Sequence, residues 1–366
     1  MSLKVLVSGG GTGGSVSPVL AVVEELKKLR PKVEILFVGT NKGPERVMVH
    51  EQGLRFVGIP AAKFRRYFSI QNVLDVFVFV FGFIHAFLVV RKFKPDVVFS
   101  VGSFVSVPVC WAGKIMGAKI VVHQQDARVG LANKLVAPIA NSITTAFEFT
   151  SKSFYSGSGL LTRKWKAPAQ WVGNPVRQAI FEKNENLDFF RLEANIPVLL
   201  ILGGATGSTQ INRIIIESLP KLLKSYQVVH VTGKSKSKDN FTHPNYHPFE
   251  FIKFKQYAAI LKKADLVVTR AGLSTITELS ALGKVAIVVP MPDTHQEDNA
   301  MILKFTSSAI VLNKHNFNSE VFPKLINDLT FDPEKQKILS ANISKLIPVD
   351  AGEKLAKIII KISESK

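Results

Sequence analysis

Short apolar segments alternate with longer helical patterns along the chain, and this alternation constrains the fold more than any other feature. The strand-length segments form two series, at residues 5–8, 33–38, 55–59, 97–101 and 119–123, and then at 198–202, 227–232, 249–253, 266–269 and 285–289. A strand that is followed by a helix and another strand is the repeating unit of a parallel, doubly wound sheet. The sequence therefore predicts an α/β protein with two such sheets.

The stretch between the two series, residues 151–169, is rich in Ser, Gly and Lys and lacks periodicity, which is typical of a linker. We therefore predict a first domain over residues 1–165 and a second over 170–345. An amphipathic helix at 346–366 is expected to pack back on the first domain. A length of 366 residues suits two domains, and 46% hydrophobic residues provide a core for each.

The composition limits the partners of the protein without choosing among them. The 47 Lys and Arg exceed the 28 Asp and Glu, and the charge of +19 favours polyanions such as nucleic acid, anionic lipid or phosphorylated substrates. Base composition alone can also produce an excess of lysine. The single cysteine, Cys110, excludes an internal disulfide framework and predicts a reducing compartment. The chain enters a strand pattern at Lys4 without a signal-peptide pattern, so we do not expect secretion.

Residues 73–90 form the most apolar segment, with a length near the lower limit of about 17 to 25 residues for a membrane-spanning helix. Asp75, Gly82 and His85 interrupt it, and it lies between two predicted strands of one sheet. We therefore interpret it as peripheral rather than spanning. Its aromatic residues and basic flanks are Phe77, Phe79, Phe81, Phe83 and Phe87, with Lys63, Arg65 and Arg66 before them and Arg91, Lys92 and Lys94 after them. This pattern favours docking on an anionic membrane surface, with a helix buried on all sides or a homodimer contact as the alternative.

A glycine-rich motif, GGGTGGSVSP at residues 9–18, follows the first predicted strand and opens a helix. Glycines let the backbone approach a ligand, and a helix N-terminus presents N–H groups and a partial positive charge to a phosphate. The spacing matches neither the dinucleotide motif G-x-G-x-x-G nor a Walker A motif, which disfavours NAD and ATP. A tight turn without a ligand is the alternative.

Two further glycine-containing turns lie in the second series. GGATGS at 203–208 again links a strand to a helix, and RAGLSTITE at 270–278 is followed by PMPDTHQEDNA at 290–300. Doubly wound sheets bind ligands at the carboxyl ends of their strands, so turns in both domains predict two substrates. Glu278 can accept hydrogen bonds from ribose hydroxyls, unless it is an ordinary surface position of its helix. The polar side chains that suit sugar hydroxyls are His295, Gln296 and Asn299.

These motifs, together with PDVVFSVGSFVSVP at 95–108, VHQQDARVGLANK at 122–134 and VGNPVR at 172–177, make the chain resemble the MurG family. Its members transfer GlcNAc from UDP-GlcNAc to lipid I and form lipid II in peptidoglycan synthesis. The resemblance implies a GT-B fold, with two doubly wound Rossmann-like domains and an interdomain cleft, and an inverting hexosyltransferase of cell wall biogenesis, cell shape and cell division.

The resemblance also implies partners and a location. The partners are UDP-GlcNAc, a polyprenyl-pyrophosphate-linked acceptor and an anionic membrane surface, at the cytoplasmic face of the cell membrane, and no nucleic acid. No cofactor is expected, because UDP-GlcNAc is a substrate. No Asp-x-Asp pair occurs in the sequence, which weakens a metal-dependent scheme.

The resemblance assigns residues to two sites. On the donor side it implies phosphate contacts for Arg177 and Thr275, a ribose contact for Glu278 and a uracil contact for the backbone of Phe254. The full donor set is Arg177, Ala205, Thr206, Phe254, Ser274, Thr275, Glu278, His295, Gln296 and Asn299. The acceptor pyrophosphate and sugar site is expected at Gly11, Thr12, Gly13, Gly14, Ser15, Ser103 and Phe104.

Departures from the family pattern affect the predicted chemistry. Ser15 stands where the family usually has a histidine that is a candidate catalytic base, and a neutral serine cannot replace it unaided. Gln124 replaces a usual Glu, and Ala205 with Thr206 replaces Ser-Gln in the donor turn. Phosphate contacts in that turn are therefore expected to differ.

The catalytic candidates are His123, Asp126 and Ser15, and the base is left unassigned. His123 retains the family histidine, with a histidine satisfied inside the core as the alternative, and Asp126 stands where the family has an Asn near the donor sugar. Two enzyme alternatives are a related transferase acting on another lipid, such as diacylglycerol, and a UDP-sugar 2-epimerase. The non-enzyme alternative is a UDP-sugar-binding protein that lost turnover with the change at Ser15.

Overall fold

The computed structural model describes residues 2–61, 70–153, 169–183, 187–204, 207–234, 236 and 241–365. The chain divides into two compact units, Met1–Arg177 with Pro348–Lys366, and Gln178–Ile347. Some residues named above lie outside the described ranges: Lys63, Arg65, Arg66, Ala205, Thr206 and most of the predicted linker.

The first unit is built on a parallel sheet. Its described strands are β1 (Lys4–Ser8), β2 (Glu34–Thr40), β3 (Arg55–Ile59), β4 (Val97–Ser100), β5 (Lys119–Gln124), β6 (Ser142–Thr145) and β7 (Ala169–Trp171). They lie in the order β3-β2-β1-β4-β5-β6-β7, so the direction of winding reverses between β1 and β4. Doubly wound sheets bind ligands beside such a switch point, at the carboxyl ends of the strands.

Both faces of this sheet are covered, as its uniformly apolar strands predict. Leu6 on β1 packs with Val98 and Ile120 in one core cluster, whereas its neighbours Val5 and Val7 belong to a second cluster. Successive side chains of a strand point to opposite faces, so β1 contributes to two cores at once.

Helices connect these strands: α1 (Gly13–Leu29), α2 (Glu45–His50), α3 (Ile70–Phe93), α4 (Ser106–Ile115), α5 (Leu131–Val136) and α6 (Glu148–Ser153). α3 contains the apolar segment 73–90. Gly82 lets α3 pass close to the preceding chain, because a Cβ there would lie 2.3 Å from the Pro60 carbonyl oxygen. Within the described ranges, no helix combines the length and the apolar character needed to cross a membrane.

The second unit has the same plan. Its described strands are β8 (Val198–Leu202), β9 (Gln227–Val231), β10 (Tyr246–Phe249), β11 (Leu266–Thr269), β12 (Ala286–Val288) and β13 (Ile310–Val311), in the parallel order β10-β9-β8-β11-β12-β13. Its helices are α7 (Thr209–Leu222), α8 (Phe254–Lys263), α9 (Leu273–Leu282), α10 (His295–Phe305), α11 (Val321–Thr330) and α12 (Pro333–Ser344). The predicted fold class, two doubly wound Rossmann-like α/β domains, is confirmed.

One predicted strand is displaced toward the N-terminus. We expected a strand at 249–253, whereas β10 spans Tyr246–Phe249 and pairs with β9. Lys253 instead precedes α8, where its backbone N–H donates to the side-chain oxygen of Gln256 at 2.9 Å and caps the helix. Phe251, whose apolar side chain suggested a strand, is 73% exposed.

The last helix, α13 (Ala351–Glu364), packs against α1 in the first unit. Leu355, Ala356 and Ile359 are buried in the same core cluster as Val5. The C-terminal segment therefore completes one face of the first sheet.

Candidate functional site

The first glycine turn connects β1 to α1, next to the switch point of the first sheet. Gly11 has a φ of 86°, which favours glycine, and a Cβ on Gly9 would lie 2.9 Å from the Ser15 carbonyl oxygen. The Ser15 hydroxyl lies 3.0 Å from the carbonyl oxygens of both Gly10 and Thr12. Its single proton is directed into the turn, so Ser15 shapes the backbone there. The predicted acceptor residues on this side are Gly11 and Thr12 in the turn and Gly13, Gly14 and Ser15 in the first turn of α1.

The turn after β4 is strained. Ser103 has a φ of 93°, a region that residues with a side chain rarely adopt. Its hydroxyl is buried without a hydrogen-bond partner among the described residues, while its carbonyl oxygen accepts from the Ser106 hydroxyl at 2.7 Å. Strain and unsatisfied buried polar groups cluster at ligand sites, and Phe104, half-buried, follows in the same turn. This turn is the neighbour of the first glycine turn across the switch point.

His123, on β5, has no exposed surface. Its Nε2 lies 3.1 Å from Asn174 Oδ1 and its Nδ1 lies 3.0 Å from Thr144 Oγ1. An amide oxygen only accepts, so Nε2 carries the proton and Nδ1 accepts from the Thr144 hydroxyl. Burial lowers the pKa of His123 to about 4, and the hydrogen bond with Asn174 opposes this shift. A neutral imidazole with both nitrogens bonded favours the interpretation as a core histidine.

Gln124 is a buried amide whose donors and acceptor are all matched. Its Nε2 donates to the carbonyl oxygens of Asp126 at 2.8 Å and Arg128 at 3.0 Å. Its Oε1 accepts from Asn133 Nδ2 at 2.7 Å and from the Gly130 N–H at 3.3 Å. A carboxylate at this position would place one oxygen against two carbonyl oxygens, which explains the amide. Asp126 itself is half-exposed beyond the carboxyl end of β5.

The second glycine turn lies above a buried arginine. Gly204 and Gly207 have φ values of 83° and 73°, and Ala205 and Thr206 between them lie outside the described residues. The Arg270 guanidinium donates to Ser208 Oγ at 2.6 Å and to the Val289 carbonyl oxygen at 3.1 Å. A Cβ on Gly204 would lie 3.8 Å from Arg270 Cγ. Burial lowers the pKa of Arg270, yet arginine stays charged, so positive charge lies beneath this turn.

Glu278 lies on α9 and is 5% exposed, which excludes the ordinary surface position considered above. Tyr257 of α8 donates a short hydrogen bond from its hydroxyl to Glu278 Oε2. Burial and the Glu278 carboxylate raise the pKa of Tyr257 well above its usual range, while a hydrogen bond with the Thr275 side chain opposes the shift. The ring of Phe254 lies 5.9 Å from that of Tyr257. The structure thus brings together Phe254, Thr275 and Glu278, with Ser274 next to them in the first turn of α9.

Two polar side chains of α10 make hydrogen bonds within the second unit. Asn299 is buried, and its Nδ2 donates to the carbonyl oxygen of Ala271 at 3.1 Å, just before α9. Gln296 Oε1 accepts from the Met291 N–H at 3.0 Å. His295 is exposed at the N-terminal end of α10. Asn299 and Gln296 therefore shape the loops that precede α9 and α10.

Arg177 is the last residue of the first unit. It is buried, and its Nε lies 3.4 Å from a carboxylate oxygen of Glu24 on α1. The described ranges contain no group of three or more His, Cys, Asp or Glu side chains that could hold a metal ion.

Comparisons with known proteins cover both units. Residues 5–145 match the glycosyltransferase family 28 N-terminal domain, and residues 198–356 match the glycosyltransferase family 28 C-terminal domain. The chain is 35% identical to the UDP-N-acetylglucosamine–N-acetylmuramyl-(pentapeptide) pyrophosphoryl-undecaprenol N-acetylglucosamine transferase of Treponema denticola, and the alignment covers 99% of this chain and 97% of that protein. The chain belongs to the MurG family of glycosyltransferases.

Solved structures show the same fold. Acinetobacter baumannii MurG superposes with a TM-score of 0.68 at 22% identity, over 98% of this chain and 99% of that one. A UDP-GlcNAc 2-epimerase from Neisseria meningitidis, bound to UDP-GlcNAc, superposes with a TM-score of 0.72 at 14% identity, over 98% of this chain and 100% of that one. The shared fold therefore does not separate a transferase from an epimerase, and the 35% identical relative carries the family assignment.

Within this MurG family member, reasoning from the sequence missed three side chains of the candidate sites. Tyr257 contacts the predicted donor residue Glu278, Arg270 contacts Ser208 at the end of the second glycine turn, and Glu45 contacts the first glycine turn. Arg270 is the first residue of the RAGLSTITE motif, so the sequence could have indicated it as a site residue. Tyr257 gave no such signal, because nothing in the sequence of α8 shows which side chain of α9 it meets.

Proposed function

We propose that this protein transfers GlcNAc from UDP-GlcNAc, with inversion, to the MurNAc 4-hydroxyl of lipid I and so forms lipid II. The support is the identity of 35% over 99% of the chain to a relative that is named for this transfer. The second unit adds a buried, hydrogen-bonded carboxylate at the position expected for the ribose contact.

The donor site is proposed to contact each part of UDP-GlcNAc with a different set of groups. Glu278, oriented by Tyr257, accepts hydrogen bonds from the ribose hydroxyls, and the Phe254 backbone contacts uracil. The N-terminus of α9 with Thr275 and Ser274 binds the pyrophosphate, since helix N-termini favour anions. Arg177 keeps its assignment as a phosphate contact of the donor. Gln296, His295 and Asn299 are assigned to the GlcNAc side of this site.

The chemical step is proposed to use Asp126 as the proton acceptor. His123 has both nitrogens bonded inside the core, and the Ser15 hydroxyl donates within its turn. Asp126 is a partly exposed carboxylate beyond the carboxyl end of β5, and a carboxylate can take up a hydroxyl proton. The acceptor oxygen bonds to the anomeric carbon, its proton passes to Asp126, and the bond to UDP breaks. The N–H groups at the N-terminus of α9 stabilise the charge on the leaving pyrophosphate.

Docking on an anionic membrane surface is proposed for the outer face of α3. Phe77, Phe81, Ile84 and Leu88 are 60%, 65%, 51% and 56% exposed and recur at helical spacing. The opposite side of α3 packs on the core through Ala86 and Val90, so this helix is not buried on all sides.

The neighbouring helix α4 also exposes apolar side chains. Trp111 and Ile115 on α4 and Met116 just after it are exposed, and Lys114 lies among them. Arg91, Lys92 and Lys94 add positive charge at the end of α3. An apolar stripe with basic neighbours suits the interface of a bilayer with anionic lipids, and this surface would place the enzyme at the cytoplasmic face of the cell membrane.

UDP release tests the transferase activity. Purified protein is given UDP-GlcNAc with a lipid I analogue, with a diacylglycerol acceptor or with no acceptor. UDP release that requires the lipid I analogue is expected. Loss of this release in Asp126→Asn, with UDP-GlcNAc binding retained, supports Asp126 as the base. Release only with diacylglycerol, or conversion of UDP-GlcNAc without any acceptor, would contradict the proposal.

Co-sedimentation with liposomes tests the membrane surface. A triple variant, Arg91→Glu with Lys92→Glu and Lys94→Glu, is expected to lose about a hundredfold or more of its affinity for anionic liposomes, at about 1 kcal/mol per basic residue. Phe81→Ser should weaken binding to the same liposomes, and neutral liposomes should retain little protein. Binding unaffected by these variants, with dimers lost in Phe81→Ser, would identify the stripe as a contact between two copies.

A further inference from the structure

Glu45, the first residue of α2, lies beneath the first glycine turn with no exposed surface. Its Oε2 accepts from the Gly11 N–H at 3.2 Å. Its Oε1 accepts from the Thr40 N–H at 2.7 Å and from the Thr40 hydroxyl. The carboxylate therefore joins the glycine turn after β1 to the carboxyl end of β2.

Three glycines lie against the Glu45 side chain. A Cβ would lie 2.5 Å from Glu45 Oε1 at Gly10, 2.8 Å from Glu45 Cγ at Gly39 and 1.8 Å from Glu45 Oε2 at Gly43. Contacts below 3.0 Å do not occur for real Cβ atoms, so each glycine is required while Glu45 keeps its position. A Cβ on Gly39 would also lie 2.8 Å from Phe56 Cε2, whereas Gly10 and Gly43 leave room for the carboxylate itself.

The peptide between Gly10 and Gly11 is held at both ends. Its N–H donates to Glu45 and its carbonyl oxygen accepts from the Ser15 hydroxyl at 3.0 Å. The N–H and C=O of a trans peptide point in opposite directions, so these two bonds fix the rotation of one plane. That plane determines which backbone groups the turn presents on its outer side.

We propose that Glu45 is a positioning residue, which holds the first glycine turn in the conformation that binds the pyrophosphate of the lipid-linked acceptor. This inference rests on the proposed function, because it takes the turn as the acceptor site. Glu45 acts through the turn and does not touch the substrate. Ser15 has the matching task at the other end of the same peptide.

Two variants separate positioning from general stability. Glu45→Gln keeps an oxygen for Thr40 but turns an amide N–H₂ toward the Gly11 N–H, so the bond to the turn is lost. Thr40→Val removes one bond to the same carboxylate and leaves the bond to Gly11 intact. Both variants lose a hydrogen bond at the same buried group, so a comparable loss of thermal stability is expected in both.

Two measurements are made on wild type and both variants. Hydrogen exchange of the peptide that contains residues 9–15 is expected to be faster in Glu45→Gln and unchanged in Thr40→Val. Calorimetric binding of farnesyl pyrophosphate is expected to weaken about tenfold in Glu45→Gln, as for the loss of one hydrogen bond to a charged group, and less than about twofold in Thr40→Val. The KM for UDP-GlcNAc should be unchanged in both.

Three results would overturn the inference: equal weakening in both variants, weakening in neither, or a wild-type protein that does not bind farnesyl pyrophosphate. Weakening in neither variant overturns the inference even if exchange is faster in Glu45→Gln, since the turn would then not need its fixed shape. A protein that binds farnesyl pyrophosphate through Glu45 but releases no UDP with the lipid I analogue would refute the proposed function and support the inference.

Discussion

Replacement of Tyr257 by Phe tests the donor site most directly, because it removes one oxygen and keeps the ring. The Tyr257 hydroxyl donates to Glu278 Oε2, and Glu278 is buried. Without the phenol, a buried carboxylate loses a donor and regains rotational freedom. The lost hydrogen bond opposes folding, and the regained freedom opposes donor binding, so a change in each is expected.

The magnitudes follow from these two losses. A hydrogen bond to a charged group contributes about 1.5–3 kcal/mol to stability, so Tyr257→Phe should destabilise the protein by about 2 kcal/mol. At about 2–4 °C per kcal/mol for a unit of this size, the melting temperature should fall by about 4–8 °C. When the donor binds to the variant, the Glu278 side chain has to be ordered, which costs about 1 kcal/mol. This cost raises the KM for UDP-GlcNAc about fivefold. The kcat should change by less than about twofold, because the bond is made before and during the reaction.

The assay compares Tyr257→Phe with Tyr226→Phe. Tyr226 lies in the same unit, and its hydroxyl donates to Thr330 Oγ1 at 2.6 Å, where no predicted site residue takes part. Steady-state UDP release gives KM and kcat, and thermal unfolding gives the melting temperature. Tyr226→Phe should lower the melting temperature without a change in KM. The reasoning is refuted if the two variants change KM equally, or if Tyr257→Phe loses stability at an unchanged KM.

Three further results are expected. Burial lowers the pKa of His123 and of His230 from 6.5 to about 4, so the unfolded state binds more protons between these values. The free energy of unfolding should therefore fall as the pH drops from 6.5 to 4, and urea titrations should show a shallower fall in His123→Gln. Ser103→Gly relieves a φ of 93° and should raise stability by about 1 kcal/mol, measured by urea unfolding, while the KM for the acceptor rises. Arg270→Lys keeps the charge but cannot span the partners of the guanidinium, and calorimetry should show UDP binding weakened about tenfold.

The fold could be predicted because each element has its own local pattern. The apolar runs of β1 and β8 are followed at once by glycines, and parallel strands bring such turns to one edge of a sheet. The strand at 249–253 was misplaced because Phe251 is apolar but exposed, and only the capping of α8 by Gln256 marks where the helix begins. Apolar character alone does not identify a strand.

The apolar segment shows the limit of counting residue types. Its phenylalanines were grouped together, but the structure separates Phe77 and Phe81, which are exposed, from Phe79 and Phe87, which pack on the core. The spacing of the exposed residues, which includes Ile84, follows a helical stripe and could have been found from the sequence. The exposure of Trp111 and Ile115 on the neighbouring α4 could not, because it depends on how the helices pack.

The departures from the family pattern at Gln124, Asp126 and Ser15 are best explained together. Gln124 donates to two carbonyl oxygens and accepts from two N–H donors, so an ionised glutamate at this place would face oxygens with oxygens. The amide removes negative charge from the interior, and the nearby Asp126 places a carboxylate on the partly exposed side of the same turn. The Ser15 hydroxyl donates its proton to the backbone of the first glycine turn and so fixes that turn. It is therefore not placed to accept a proton from the substrate. Gln124 and Ser15 therefore shape their turns, and the proposal assigns the acceptance of the proton to Asp126.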